Sequence, residues 1–202
     1  TSWMTREGLV ALPLFALGGL AFLFDSRAAL IGAALVGLVY LYCQARILRA
    51  AKGIPAWRHA ALLPFMIASG LAEGAGLAVV LAQGQGAFLL ILLIALRFDL
   101  WRRYHRRLAQ DGAPAGTLRV LSRHQKSFLI AGHVLPVVML VLAPLLGSPS
   151  LAILAGILVT AAGWGIKLLL ITKAAYNQGF ALPRVPVRGQ GSPGAPAKPG
   201  WA

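Results

Sequence analysis

Seven ionisable side chains stand inside or at the ends of long apolar stretches of this sequence: Glu7, Arg46, Glu73, Arg97, Asp99, His133 and Lys167. A charge at the centre of a membrane span costs about 2.5–3.5 kcal/mol on insertion scales, so each embedded group needs a partner or a task. With about 1.5 Å of rise per residue, position converts to depth. His133 and Lys167 each lie about six residues, or roughly 9 Å, from the same end of their stretches. Arg97 and Asp99 occupy the third of their stretch nearest that end. Glu7 opens one stretch there and Arg46 closes another. The polar groups therefore gather in one leaflet. Polar groups so gathered mark a candidate site.

Each residue also has a plainer reading. Glu7, beside Arg6, is a carboxylate that the helix macrodipole favours at an N-terminus. Arg46 and Arg97 have stems long enough to snorkel to the headgroups, and that is the expectation for both. Asp99, two residues from Arg97, neutralises nearby charge. His133 reads as a hydrogen-bonded packing residue or as a ligand of a bound molecule. Lys167 lies a turn and a half inside its stretch, with a stem that could reach the interface. Glu73 is the deepest, inside Gly70-Leu71-Ala72-Glu73-Gly74-Ala75-Gly76, and reads as a buried relay or a packing residue. Depth arithmetic separates it from Lys167 by roughly 10 Å, so a direct pair is not expected. Gly70 and Gly74 form a G-x-x-x-G face that allows close helix approach.

The elements that must position these groups follow from composition. Of 202 residues, 58% are apolar and 12% charged, and the mean hydropathy is +0.76. Soluble domains carry roughly 45–50% apolar and about 25% charged residues, so a soluble domain and a disordered chain are both excluded. Runs near the roughly 20 residues of a span fall at 8–24, 28–46, 60–82, 87–104, 127–146 and 151–172. The class expected is an all-α integral membrane protein with six transmembrane helices in a bundle over 1–177. A basic loop is expected from His105 to Lys126, and a Pro/Gly-rich tail over 178–202.

Lys and Arg number 19 against 5 acidic residues, a net charge of +14. They lie between apolar runs, which marks them as topology signals rather than a nucleic-acid patch. All of them except Arg27 fall nearest one face. The positive-inside rule puts that face, and both termini, in the cytoplasm, which makes the inner membrane the expected location.

A single cysteine, Cys43, cannot form an intrachain disulfide, nor hold an iron–sulfur cluster, zinc or c-type haem alone. Only His133 is well embedded, since His59, His105 and His124 lie in interfacial or loop segments. A bis-His haem, which needs ligands on facing helices, is therefore not expected, and no metal ligand set is assigned. No P-loop, H-E-x-x-H or G-x-S-x-G pattern occurs, so no self-contained catalytic site is indicated. The chain opens Thr1-Ser2-Trp3-Met4, with no initiator Met or basic leader, and residues ahead of it are expected.

Three stretches carry a family resemblance. Ser2-Trp3-Met4-Thr5-Arg6-Glu7 at a helix start resembles the Ser-x-x-Ser/Thr-x-Glu signature of the DmsC-type membrane anchors of molybdopterin oxidoreductases. Tyr42-Cys43-Gln44-Ala45-Arg46, followed by Ile54-Pro55-Ala56-Trp57, resembles a helix end and loop of the same family. Trp164 to Lys167, Thr172 to Pro183 and Pro186-Val187-Arg188-Gly189 resemble the branch identified as the membrane subunit of phenylacetyl-CoA:acceptor oxidoreductase. The family is built from about eight spans, and the stretch resembling its third begins at Glu7, so this chain corresponds to the last six helices of the bundle.

The resemblance implies a membrane anchor that holds a molybdopterin catalytic subunit and an iron–sulfur subunit, and exchanges electrons between the nearest cluster and a membrane quinone, ubiquinone or menaquinone. Molybdopterin and iron–sulfur clusters belong to those partners only. Glu7 matches the acidic residue associated with the family's quinol site. The quinone-binding and proton-transfer residues expected are Glu7, His133, Lys167 and Arg46, with His133 or Lys167 bonding a carbonyl and Glu7 exchanging a proton. A cytoplasmic catalytic pair suits phenylacetyl-CoA or, alternatively, sulfite, with the loop from His105 to Lys126 and the tail as docking surface. Two other readings remain: a small transporter using Glu73 and Lys167, and a purely structural anchor.

Overall fold

The computed structural model describes residues 2–176, which are helical almost throughout and linked by short turns. The Pro/Gly-rich tail expected over 178–202 lies outside the described residues. Helix α1 (Trp3–Phe24) starts where the Ser2 hydroxyl accepts the Thr5 N–H at 3.1 Å, and ends at Asp25 in a left-handed conformation. Ser26 then caps α2 (Arg27–Ala50) by accepting the Ala29 N–H. These are ordinary N-cap bonds, satisfying donors that a helix start leaves free. One turn, α3 (Pro55–Arg58), leads into α4 (Leu62–Leu81). The turn to α5 (Ala87–Gln110) has positive φ at Gln83, Gly84 and Gly86. Helix α6 (Ala115–Leu129) runs through a π-helical turn (Ile130–Val134) into α7 (Leu135–Leu145). Helix α8 (Pro149–Thr172) closes the described fold.

Every expected apolar run falls on a helix. Among the described residues, five helical segments are long and apolar enough to cross a membrane: α1, α2, α4, the α6–α7 rod and α8. The expectation of six such spans is met for those five. Helix α5 carries Arg97, Asp99, Arg102 and Arg103, too many charges for an apolar span. Its Leu90, Ile94, Arg97, Trp101, Tyr104 and Leu108 are buried. That four-three spacing is one face of a helix turned into a core.

The loop expected between His105 and Lys126 is not a loop. Helix α5 continues to Gln110 and α6 begins at Ala115, leaving a tight turn with Gly112 at φ 71°. Basic residues concealed the helical spacing of Thr117, Leu121 and Phe128, which are buried while Arg119, Arg123 and Lys126 are exposed. His59 Nε2 lies 2.8 Å from Asp111 Oδ2 and ties this turn to the end of α3.

Helices α4 and α8 form the centre. They run antiparallel and touch backbone to backbone: a Cβ on Gly76 would stand 2.8 Å from the Gly156 carbonyl oxygen. The expected Gly70/Gly74 face does not make this contact. Gly70 instead receives Leu41 of α2, and Gly74 meets nothing within 4 Å among the described residues. Two apolar clusters fill the bundle. One, at the basic end, holds Phe65, Trp101, Tyr104, Leu121, Phe128 and Leu170. The other holds Val79, Leu90, Ile94, Leu140 and Val159. Among the described residues, helix α1 packs chiefly against α2 and buries none of its own side chains.

Candidate functional site

The two apolar clusters are separated by a polar layer. On α4 it holds Ser69 and Glu73, on α5 Arg97, on the π turn His133, and on α8 Thr160; all five are buried. Lys167 reaches into it from α8. A polar group deprived of water must find partners inside the protein, and most of these do.

Glu73 is the anion of the layer. Its Oε1 accepts the Ser69 hydroxyl at 2.8 Å and its Oε2 accepts from Lys167 Nζ at 2.7 Å. Its backbone carbonyl accepts the Thr160 hydroxyl at 3.3 Å. The expectation that Glu73 and Lys167 stand too far apart is therefore overturned. Depth arithmetic counted backbone rise alone and ignored side-chain direction. Side chains tilt toward the N-terminus of their own helix, so on antiparallel α4 and α8 these two lean toward each other and close the gap. Gly163 provides the room, because a Cβ there would overlap the Glu73 carboxyl. Ser69 and Gly163 were not singled out from sequence, although Gly163 lies four residues from Lys167 on the same helix.

Arg97 does not snorkel. It is fully buried, with Nη1 donating to the Val159 carbonyl at 3.1 Å and Nη2 donating to the Gly132 carbonyl. The local sequence explains the second bond. A regular helix would bring the N–H of residue 136 to the Gly132 oxygen, but Pro136 has none and its ring crowds that carbonyl. The helix widens into the π turn, and the guanidinium takes the freed acceptor. Asp99, expected near Arg97, pairs instead with Arg103 at 2.7 Å, both half exposed.

Of the site residues expected from sequence, Glu7 and Lys167 come together. Both line a cleft of about 290 Å³ with Gln44, Leu41, Met66 and Ile171, between the α1–α2 hairpin and the α4–α8 pair. Tyr40 lies beside Glu7 and Gln44. Arg46 is engaged elsewhere: its guanidinium stacks on the Trp3 ring at 4.3 Å and donates to the Tyr42 hydroxyl at 3.0 Å. His133 lines a different groove, between α5 and α7, so it does not share a cavity with Glu7 and Lys167. Cys43 is buried and unpaired, a small apolar residue in the α2 interface.

The Glu7–Lys167 cleft combines a carboxylate, an amide and an ammonium over apolar walls. Such a pocket can orient a flat molecule by its polar edges while its apolar body stays out of water. Lys167 offers donors only, whereas Gln44 offers both donor and acceptor. The chain matches no family model, no curated protein and no solved structure.

Proposed function

We propose that this chain is the membrane-anchoring, quinone-reactive subunit of a molybdopterin/iron–sulfur oxidoreductase of the inner membrane. The observation that carries the reading is the meeting of Glu7 and Lys167 in one apolar-walled cleft. Glu7 belongs to the Ser2-to-Glu7 signature and Lys167 to the α8 stretch that resembles the same anchors. The two lie 160 positions apart in sequence yet share a cavity.

The chemistry follows from the groups. Reducing a quinone to a quinol takes two electrons and two protons, one on each oxygen. An iron–sulfur cluster and a molybdopterin, both in partner subunits, would supply the electrons. Lys167 hydrogen-bonds one carbonyl oxygen and draws charge toward it. Glu73 holds the ammonium in place through the 2.7 Å bond. Glu7, which lines the same cleft, carries protons between the quinone oxygen and the aqueous side, a task for a positioned acid–base group. Arg46 braces the start of α1 through Trp3 rather than touching the quinone. The basic end faces the cytoplasm, where α6 and the α5–α6 turn dock the iron–sulfur subunit. There the catalytic pair would oxidise phenylacetyl-CoA, with sulfite as the alternative substrate.

Purification of the tagged chain from native membranes, mass spectrometry of what accompanies it, and quinone-linked oxidation assays test this. A molybdopterin subunit and an iron–sulfur subunit with phenylacetyl-CoA-dependent quinone reduction support family and branch. The same partners with another substrate keep the anchor role and remove the branch. A chain that purifies alone, without iron or molybdenum, overturns the proposal and favours a transporter built on Glu73 and Lys167.

A further inference from the structure

His133 carries an unmet hydrogen-bonding capacity. The residue is 4% exposed. Its Nδ1 lies 3.1 Å from the Phe128 carbonyl oxygen, and its Nε2 has no partner among the described residues. A carbonyl oxygen can only accept, so Nδ1 holds the proton. In the neutral imidazole Nε2 is then a bare acceptor. Native structures rarely leave such an atom orphaned without a reason.

The surroundings say what would meet it. His133 lines a groove of about 390 Å³ together with Ile91, Ile94, Phe98, Val134 and Val137. No other lining side chain in that set is polar. Val134 and Val138 are about half exposed, so the groove opens sideways along the apolar flank of the rod. Phe98 packs edge-on against the imidazole, ring centroids 5.6 Å apart, and lines the same groove. His133 also sits in the π turn, a widening that often marks a functional position.

We propose that this groove is a binding site for a membrane-soluble phenol or alcohol, whose hydroxyl donates to His133 Nε2. The site discriminates by hydrogen-bond direction. A hydroxyl donor satisfies the nitrogen, whereas an ether or a quinone carbonyl brings only a second acceptor against it. The inference does not rest on the Glu7–Lys167 reading, because binding here needs no electron donor or partner subunit.

The test is equilibrium binding of 4-nonylphenol and its methyl ether, 4-nonylanisole, to the full chain in phosphatidylcholine nanodiscs. The phenol should bind saturably and about tenfold or more tightly than the ether, the scale of one hydrogen bond in an apolar site. His133→Phe should abolish that preference, and Val137→Phe, which fills the groove but keeps the imidazole, should block both ligands. Equal binding of the two by the wild type, or a preference surviving His133→Phe, overturns the proposal. Should His133→Phe fail to fold, nitrogen NMR of labelled histidine decides. The Nε2 resonance of the wild type must move with the phenol and not with the ether, and an unmoved resonance overturns the proposal. Competition identifies the source of the hydroxyl. Displacement by decylubiquinol but not dioctanoylglycerol assigns a quinol, the reverse assigns a lipid alcohol, and displacement by neither overturns the site.

Discussion

Lys167 Nζ sits 2.7 Å from Glu73 Oε2 across the α4–α8 contact, with the Glu73 side chain 7% exposed and that of Lys167 21%. One end of the bond is sealed inside the bundle, and the other borders the cleft that holds Glu7. Removing one partner of a buried pair strands a charge and costs about 3–5 kcal/mol; removing both costs far less. Because Lys167 keeps some exposure, about 2 kcal/mol is expected for Glu73→Gln or Lys167→Met alone. The double variant should be more stable than the worse single one. Denaturant unfolding in a mild detergent measures this, and strictly additive losses would contradict it.

Gly163 is where the Glu73 carboxyl lies. Gly163→Ala should cost about 1–3 kcal/mol, the usual penalty for overpacking. Gly165, with nothing within 4 Å of a built Cβ among the described residues, is the control. Gly165→Ala should leave the melting temperature unchanged or slightly raised.

Arg97 and Pro136 should behave as a coupled pair, although they lie on different helices. Arg97→Met leaves the Gly132 carbonyl without its guanidinium donor, costing about 1–3 kcal/mol for an unsatisfied buried group. Pro136→Ala restores the backbone N–H that a regular helix offers that carbonyl. Adding Pro136→Ala to Arg97→Met should therefore recover part of the loss. A double-mutant cycle on unfolding midpoints reads the coupling, and zero coupling would refute this account of the π turn.

If the cleft is a quinone site, Glu7→Gln should lower quinone-linked turnover of the complex by about a hundredfold, within the usual range for an acid–base group. Assembly with partners should be unaffected, because Glu7 makes no ion pair among the described residues. Arg103→Gln, which alters only an exposed pair, should leave turnover intact. Wild-type turnover in Glu7→Gln would instead favour a purely structural anchor.

The turn at Gln83–Gly86 packs on the start of α8, with a Cβ on Gly84 3.3 Å from Ala152, whereas the Asp111–Pro114 turn lies at the basic end beside His59. Single cysteines placed at Gln85 and Gln110 in a Cys43→Ser background should therefore label from opposite sides of sealed vesicles. On the proposed orientation, Gln110 should label from the cytoplasmic side. Labelling of both from one side would contradict the topology.

Much of this architecture was legible in the sequence because membrane helices are written in long apolar runs. The expected stretches at 8–24, 28–46 and 151–172 fall within α1, α2 and α8. The embedded residues were legible for the same reason: Glu73 and His133 are conspicuous because nothing around them is charged. Helix α6 was missed because Arg119, Arg123 and Lys126 break up its apolar residues, and only the spacing of Thr117, Leu121 and Phe128 betrays its buried face.

Partner choice was beyond the sequence. The sequence by itself determined that the long apolar runs lie in helices, roughly how deep each polar group sits, and that one end of the bundle is basic, since these depend on local composition and on about 1.5 Å per residue. Only the tertiary structure decided that Lys167 finds Glu73, that Arg97 turns inward to a carbonyl freed by Pro136, and that His133 faces a groove apart from Glu7. Those outcomes depend on the rotation of each helix about its axis and on the tilt of its side chains. Both are set by packing contacts such as Gly76 on Gly156, between residues 80 positions apart in the chain.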